Sequence, residues 1–344
     1  MSEPSTELRC AVVGVGRMGR HHARVYSQMD GATLVGVVDL DEARARAITD
    51  EFGGAVFNSV EDLLAVGVDA VTVAVPTNYH RQIATPLLQA GVACLVEKPL
   101  APDVRAAEAL AQVASETGSI LQVGHIERYN PAVRAVATQT DLRPRFIEVH
   151  RVSPMSFRSV DVGVVLDMMI HDLDVLLMLA GGEPERIQAC AVAVLGAAED
   201  VCNARLEFPS GCVANVTASR LALKTERKIR IIADDAYVSV DYGRKTGLMI
   251  RRTANEAELA RLREQLAAGT DLSDVDYTDL VNVEPLEVDD EDQLVMQLRD
   301  FLSAVRSGSS PTVDARAGFA AVRTAERIVE AARDHAARLD PRPT

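Results

Sequence analysis

Two hydrophobic patterns alternate along the first third of the chain. Short runs are apolar at nearly every position: "LRCAVVGVG", "TLVGVVDL", "DAVTVAVP", "VACLVEKP" and "SILQVG". Between them lie helix-like stretches such as "MGRHHARVYSQM", "DEARARAITDEF", "YHRQIATPLLQAG" and "PDVRAAEALAQVASETG". A strand that is apolar on both faces needs cover on both faces, and the intervening helices supply it. The pattern predicts a parallel sheet. The right-handed crossover rule makes it doubly wound, an α/β domain of Rossmann type.

The pattern changes after about Gly124. Asn130-Pro131 marks a helix start, since proline suits a first helical turn. There follow "RFIEVHRVS", an oily helix "VVLDMMIHDLDVLLML" and a succession of strand-like runs from "RIQACAVAVLG" to "GLMIRRT". Turns such as "PSG" and "ADDA" stand between these runs, which predicts an antiparallel sheet in an α+β domain. Residues 254–267 read as a charged surface helix, 268–291 as an acidic loop or excursion, and 291–306 and 313–337 as two closing helices. The expected domains are 1–124, dinucleotide-binding, and 125–344, substrate-binding and oligomerising, with the last helices packing back on the first domain.

With 344 residues there is room for two cores. The formal net charge is −14, from 36 Lys and Arg against 50 Asp and Glu. A nucleic-acid binder is usually basic, so that role is disfavoured, while local arginines can still hold an anionic substrate. No apolar run approaches membrane-spanning length and "MSEPSTELR" is no leader, so a cytoplasmic protein without a membrane partner is expected. Five cysteines stand apart, without a CxxC or a Cys/His cluster; they read as reduced thiols, and no metal site is expected.

Chemistry enters at "GVGRMG". Gly14, Gly16 and Gly19 form a GxGxxG that follows the first strand and opens the first helix, with Arg17 and Met18 inside it. In that context the glycines permit a tight turn, close approach to a pyrophosphate and close helix packing, while the helix start offers free N–H groups. Asp39 ends the second strand, where an acid hydrogen-bonds the adenosine ribose and repels a 2′-phosphate, so NAD is favoured over NADP. A helix-capping aspartate is the alternative, and Arg17 and Arg44 weigh on the NADP side.

Ligands of an open parallel sheet sit beyond the carboxyl ends of its strands. Pro76, Thr77, Asn78 and His80 follow one strand there, and Glu97 and Lys98 end the next. Pro99 restricts Lys98 to extended backbone, which aims a cation that can stabilise a developing alkoxide; a solvated loop lysine is the alternative. Within the oily helix, Asp167, His171 and Asp174 are spaced four and three apart, one stripe of an α-helix.

"GVGRMG", "VPTNYH", "VEKPL" and "LDMMIHDLD", in this order, resemble the Gfo/Idh/MocA oxidoreductases. The resemblance covers nearly the whole chain, including the closing "DARAGFAA". It implies a two-domain NAD(P)-dependent enzyme whose second domain carries a large open, mainly antiparallel sheet, often used for oligomer contacts, so a homodimer or homotetramer is expected. The family's active-site lysine falls on Lys98, and its aspartate and histidine fall on Asp167 and His171. "VGHIERYNPAV" and "DVGVVLDMMIHDLD" resemble the branch of UDP-N-acetylglucosamine 3-dehydrogenases.

The resulting expectation is oxidation of a secondary sugar hydroxyl, at C3 of a UDP-linked N-acetylhexosamine. His171 would take the proton, Lys98 would stabilise the oxyanion, and Asp167 would hold a hydroxyl or orient His171. Arg128, Arg151 and Arg158 would face the diphosphate, and Tyr129 and Asn130 the sugar or uracil. For Asp174, a buried carboxylate satisfied by an arginine is at least as good a reading. The rivals are a dehydrogenase of a free sugar or polyol and a non-catalytic NAD-binding regulator.

Overall fold

The computed structural model describes residues 7–139, 141–156, 162–273 and 275–339. Its first unit runs β1 (Leu8–Val13), α1 (Arg17–Gln28), β2 (Ala32–Val38), α2 (Glu42–Phe52), β3 (Ala55–Phe57), α3 (Val60–Val66), β4 (Ala70–Val73), α4 (His80–Gln89), β5 (Ala93–Glu97), α5 (Val104–Thr117) and β6 (Leu121–Gly124). The six strands are parallel, in the order β3-β2-β1-β4-β5-β6. The reversal between β1 and β4 opens a crevice at the strands' carboxyl ends. Side chains of Asp41, Ser59 and Asp103 cap α2, α3 and α5 by accepting from backbone N–H groups, which fixes where these helices begin.

The second unit continues with α6 (Pro131–Ala137), β7 (Pro144–Val152), a π-helical stretch (Val165–Met169) that runs into α7 (Ile170–Ala180), β8 (Arg186–Val192), β9 (Val201–Glu207), β10 (Val213–Ser219), β11 (Glu226–Ala233), β12 (Ala236–Asp241), β13 (Thr246–Arg252), α8 (Glu256–Ala267), β14 (Val281–Pro285), α9 (Gln293–Ser307) and α10 (Ala315–Leu339). Its eight strands lie in the order β14-β13-β12-β11-β7-β10-β9-β8, all antiparallel except β7 with β10. Ile147 and Val149 of β7 pack inward with Met169 and Leu173 beneath the oily helix, while the alternate residues Glu148 and His150 are left half-exposed on the other face.

The closing helices do pack back on the first sheet. Leu294, Leu298, Phe301 and Leu302 of α9 join α1 and α2 in the core against one face of it. Ala321 and Val322 of α10 join the core of α4 and α5 on the other face, and Ala325, Ile328 and Ala332 continue into the second core. Three short elements depart from the pattern reading. β3 and α3 are too brief to show a period, and β14 turns part of the acidic 268–291 segment into an edge strand on β13. Of the cysteines, Cys10, Cys94, Cys202 and Cys212 are buried, and Cys190 on β8 is exposed, unlike a core thiol.

Candidate active site

The glycine turn has the shape its spacing requires. Gly14 has φ +84° and lies so close to Ala74, at the end of β4, that a Cβ would sit 2.8 Å from its carbonyl. A Cβ on Gly19 would come within 1.8 Å of the Gly14 carbonyl oxygen, so only glycine lets α1 pack this near the turn. A Cβ on Gly16, by contrast, would meet nothing within 4 Å. Gly16 also begins α1 without any side-chain cap, leaving the first N–H groups of the helix open toward the crevice, as a pyrophosphate requires. Arg17 is exposed and Met18 half-buried at the same helix start.

Asp39 stands at the end of β2, but its carboxylate already has partners. Oδ2 accepts from Val15 N–H at 2.8 Å, Oδ1 accepts from Asp41 N–H at 2.9 Å, and Arg44 lies 3.4 Å away. The cap of α2 is Asp41, so Asp39 is instead the link that ties the glycine turn to β2.

Pro76, Thr77 and Asn78 lie on the 3₁₀ turn after β4, the first and last exposed. His80 departs from expectation. Its ring is buried, with Nδ1 3.0 Å from the Pro99 carbonyl and Nε2 2.9 Å from that of Val75, so it fastens one loop to the next. Burial pulls its pKa below the ordinary histidine value. Glu97 is likewise engaged by protein partners. It meets the buried His22 of α1 at 2.8 Å and accepts from Lys98 N–H. Burial pushes its carboxyl upward, but His22 and Lys98 outweigh that and hold it below the usual carboxylate range.

Lys98 crosses between the units. Its Nζ donates to the Asp167 carbonyl at 2.8 Å and lies 3.5 Å from Asp167 Oδ1. Asp167 sits in the π-helical stretch, a wider turn than an α-helix, so the four-residue spacing to His171 no longer stacks the two side chains. No hydrogen bond joins them among the described residues, and Asp167 holds Lys98 rather than orienting His171. His171 follows at the start of α7, its Nδ1 buried without a protein partner. Burial drives its pKa well below the ordinary value, and the cations Lys98 and Arg151 add to this. Burial likewise lowers Lys98, against the opposing pull of Asp167. The Lys98 ammonium thus lies against the segment that leads into His171, near enough for its charge to bear on the imidazole.

His125, which sequence reasoning missed, belongs to the same cluster. Glu97 pairs with Gly124 across β5 and β6, so the next residues, Lys98 and His125, leave the sheet side by side. The ring is fully buried and neither nitrogen has a protein partner. A histidine directly after the last parallel strand was the available signal.

The arginines expected to face a diphosphate have other work. Arg128 Nε and Nη2 each lie 2.9 Å from the carboxylate of Asp174, which is 1% exposed. This selects the structural reading of Asp174. Arg151 binds Asp172 at 2.5 and 2.9 Å and Glu127 at 3.1 Å, all buried, with its guanidinium over the Tyr242 ring. Asp172 lies off the stripe read from sequence. Tyr129 donates to Asp300 of α9 at 2.7 Å, and Asn130 caps α6 while donating toward Glu127 and the Tyr242 carbonyl. These four side chains, Arg128, Tyr129, Asn130 and Arg151, are engaged with protein partners that tie the segment after β6 and strand β7 to α7, α9 and the residue after β12. Arg158 lies outside the described residues. Among the described residues, no cluster of histidine, cysteine and carboxylates could hold a metal ion.

Residues 8–125 match the oxidoreductase family with an NAD-binding Rossmann fold, and residues 143–239 match the C-terminal domain of Gfo/Idh/MocA proteins. The chain is 36% identical over 311 residues to the UDP-N-acetylglucosamine 3-dehydrogenase of Acidithiobacillus ferrooxidans, covering 90% of this chain and 93% of that one. The chain belongs to the Gfo/Idh/MocA oxidoreductases. A solved structure of that Acidithiobacillus enzyme superposes with a TM-score of 0.84 at 34% identity, over 94% of this chain and 97% of the other. The inositol 2-dehydrogenase of Rhizobium meliloti is 31% identical over 230 residues, 62% of this chain and 69% of that one. As a Gfo/Idh/MocA protein the chain is an NAD-binding oxidoreductase with the two-sheet fold expected from its sequence.

Proposed function

We propose that the protein oxidises a secondary hydroxyl of a UDP-linked N-acetylhexosamine, at C3 of UDP-N-acetylglucosamine, with NAD as the oxidant. The observation that carries the reading is the hydrogen bond from Lys98, just after β5, to the Asp167 carbonyl, which brings the lysine onto the segment that leads into His171. The likeness to UDP-N-acetylglucosamine 3-dehydrogenase along almost the full chain supports this substrate over a free polyol.

NAD, held by the Gly14–Gly19 turn and the start of α1, supplies the hydride acceptor. His171 is neutral at physiological pH because burial disfavours its cation, so it is ready to take the hydroxyl proton. Lys98 keeps its ammonium aimed by Asp167 and donates a hydrogen bond to the substrate oxygen as negative charge develops there. The buried pairs of Arg128 with Asp174 and of Arg151 with Asp172 hold α7, and therefore His171, against the turn after β6 and strand β7.

NADH formation against UDP-N-acetylglucosamine, N-acetylglucosamine and inositol tests the proposal. Turnover of the UDP-sugar alone is the expected result, and turnover of inositol alone would replace it with the polyol reading. We also place the enzyme in the cytoplasm and propose that copies associate through the half-exposed face of the second sheet; no described helix is long and apolar enough to cross a membrane. Light scattering on the purified protein reads the oligomer directly.

A further inference from the structure

With Arg128 and Arg151 engaged, a substrate diphosphate needs another cation. The strand register identifies one. β11 runs antiparallel to β7, with Arg227 opposite Arg151, Ile229 opposite Val149 and Ile231 opposite Ile147. The two isoleucines are buried in the core beneath α7, so Arg227, two residues before Ile229, projects from the same face. It stands at the open end of the strand and is exposed. Its positive charge reaches both His171 and Asp172 on α7. Among the described residues its guanidinium has neither a hydrogen bond nor an ion pair, although its carbonyl accepts from Tyr242 N–H at 2.9 Å. Its neighbours differ in this. Arg151 is bound by Asp172, Arg220 by Asp200, and Arg230, on the opposite face, by Glu148.

Other exposed arginines are unpaired too among the described residues, Arg17 and Arg81 for instance; what sets Arg227 apart is its place on the sheet face that packs beneath α7. On this face, with its charge bearing on His171 and Asp172, it suits an anionic group of the substrate. A guanidinium is the side chain best fitted to grip phosphate oxygens in pairs.

We infer that Arg227 holds the diphosphate of a nucleoside-diphosphate sugar while its ring lies over Lys98 and His171. The inference rests on the proposed nucleotide-sugar reading and names the group that discriminates such a substrate from a free sugar.

Steady-state kinetics at saturating NAD separate the two claims. If the parent enzyme fails to oxidise UDP-N-acetylglucosamine, the proposed function falls, whatever Arg227 does. If the parent is active, Arg227→Gln is expected to raise KM for the UDP-sugar about 10- to 100-fold, the range for one charge-assisted hydrogen-bonding group. Inhibition by UDP alone should weaken by the same factor, with a much smaller change in kcat. Arg227→Lys should fall between the two. Lys228→Gln alters the next residue of the strand, on the other face, and should leave KM and UDP inhibition unchanged. Parent-like KM and UDP inhibition in Arg227→Gln would overturn the inference. So would a loss of NAD affinity parallel to the loss of UDP affinity, since Arg227 would then support the fold rather than the substrate.

Discussion

Arg151→Met distinguishes an arginine that builds the site from one that binds its substrate. The native guanidinium meets Asp172 at 2.5 and 2.9 Å and Glu127 at 3.1 Å, and all three side chains are buried. Methionine fills part of the volume and leaves two carboxylates out of water with no counter-charge. Removing one partner of a buried ion pair typically costs about 3–5 kcal/mol. That is a large share of the roughly 5–15 kcal/mol that stabilises a folded protein. Urea unfolding should therefore show a midpoint far below the parent's with a similar slope. The pH dependence carries a second signature. Burial already holds the Asp172 pKa above its usual value despite Arg151, and loss of Arg151 raises it further. A carboxyl whose folded pKa exceeds its unfolded pKa takes up a proton on folding, so its penalty is greatest above the folded pKa and fades as pH falls toward the unfolded one. The variant's deficit should thus shrink on acidification. Adding Asp172→Leu should recover much of the stability. A change below about 1 kcal/mol, the size typical of exposed pairs, combined with a raised substrate KM, would refute the reasoning and return Arg151 to the substrate.

Lys98→Met should abolish turnover yet leave NAD affinity near that of the parent, as measured by fluorescence titration; full activity would remove Lys98 from the mechanism. The same variant should let the His171 ring titrate at higher pH, because Lys98 is the foremost charge depressing it, and ¹⁵N NMR of the imidazole reads that shift. An unmoved titration would mean the two groups do not share a site. Asp39→Ala should weaken NAD binding more than NADP binding. Because Asp39 also anchors Val15 N–H, it should lower the melting temperature as well; a better fit for NADP in the unmodified protein would contradict the ribose role.

The candidate site could be read from sequence wherever it depends on neighbours along the chain. The glycine turn, Lys98 at a strand end and the pair Asp167 and His171 are local patterns, and local patterns survive in a one-dimensional reading. Partner choice did not survive. Arg128 finds Asp174 across 46 residues and Arg151 finds Asp172 across 21, and no periodicity in one segment reports which acid of another will face it. The stripe of Asp167, His171 and Asp174 assumed an α-helix throughout, and the π-helical stretch redistributed it. Asp167 went to Lys98, Asp174 to Arg128, and the unremarked Asp172 to Arg151. His22 was invisible because a single histidine carries no spacing, and His125 had only its place after the last parallel strand to mark it. β14 was hidden by its acidic surroundings, since an edge strand needs little apolar content to pair.

α9 has a consequence for how such a chain comes into being. The helix lies beyond the whole second sheet in sequence, yet its Leu298, Phe301 and Leu302 are wholly buried against the first. A growing polypeptide emerging from the ribosome therefore holds the nucleotide-binding half with one flank bare until residue 302 is free. An expression fragment ending at Gly124 would leave that same greasy flank uncovered.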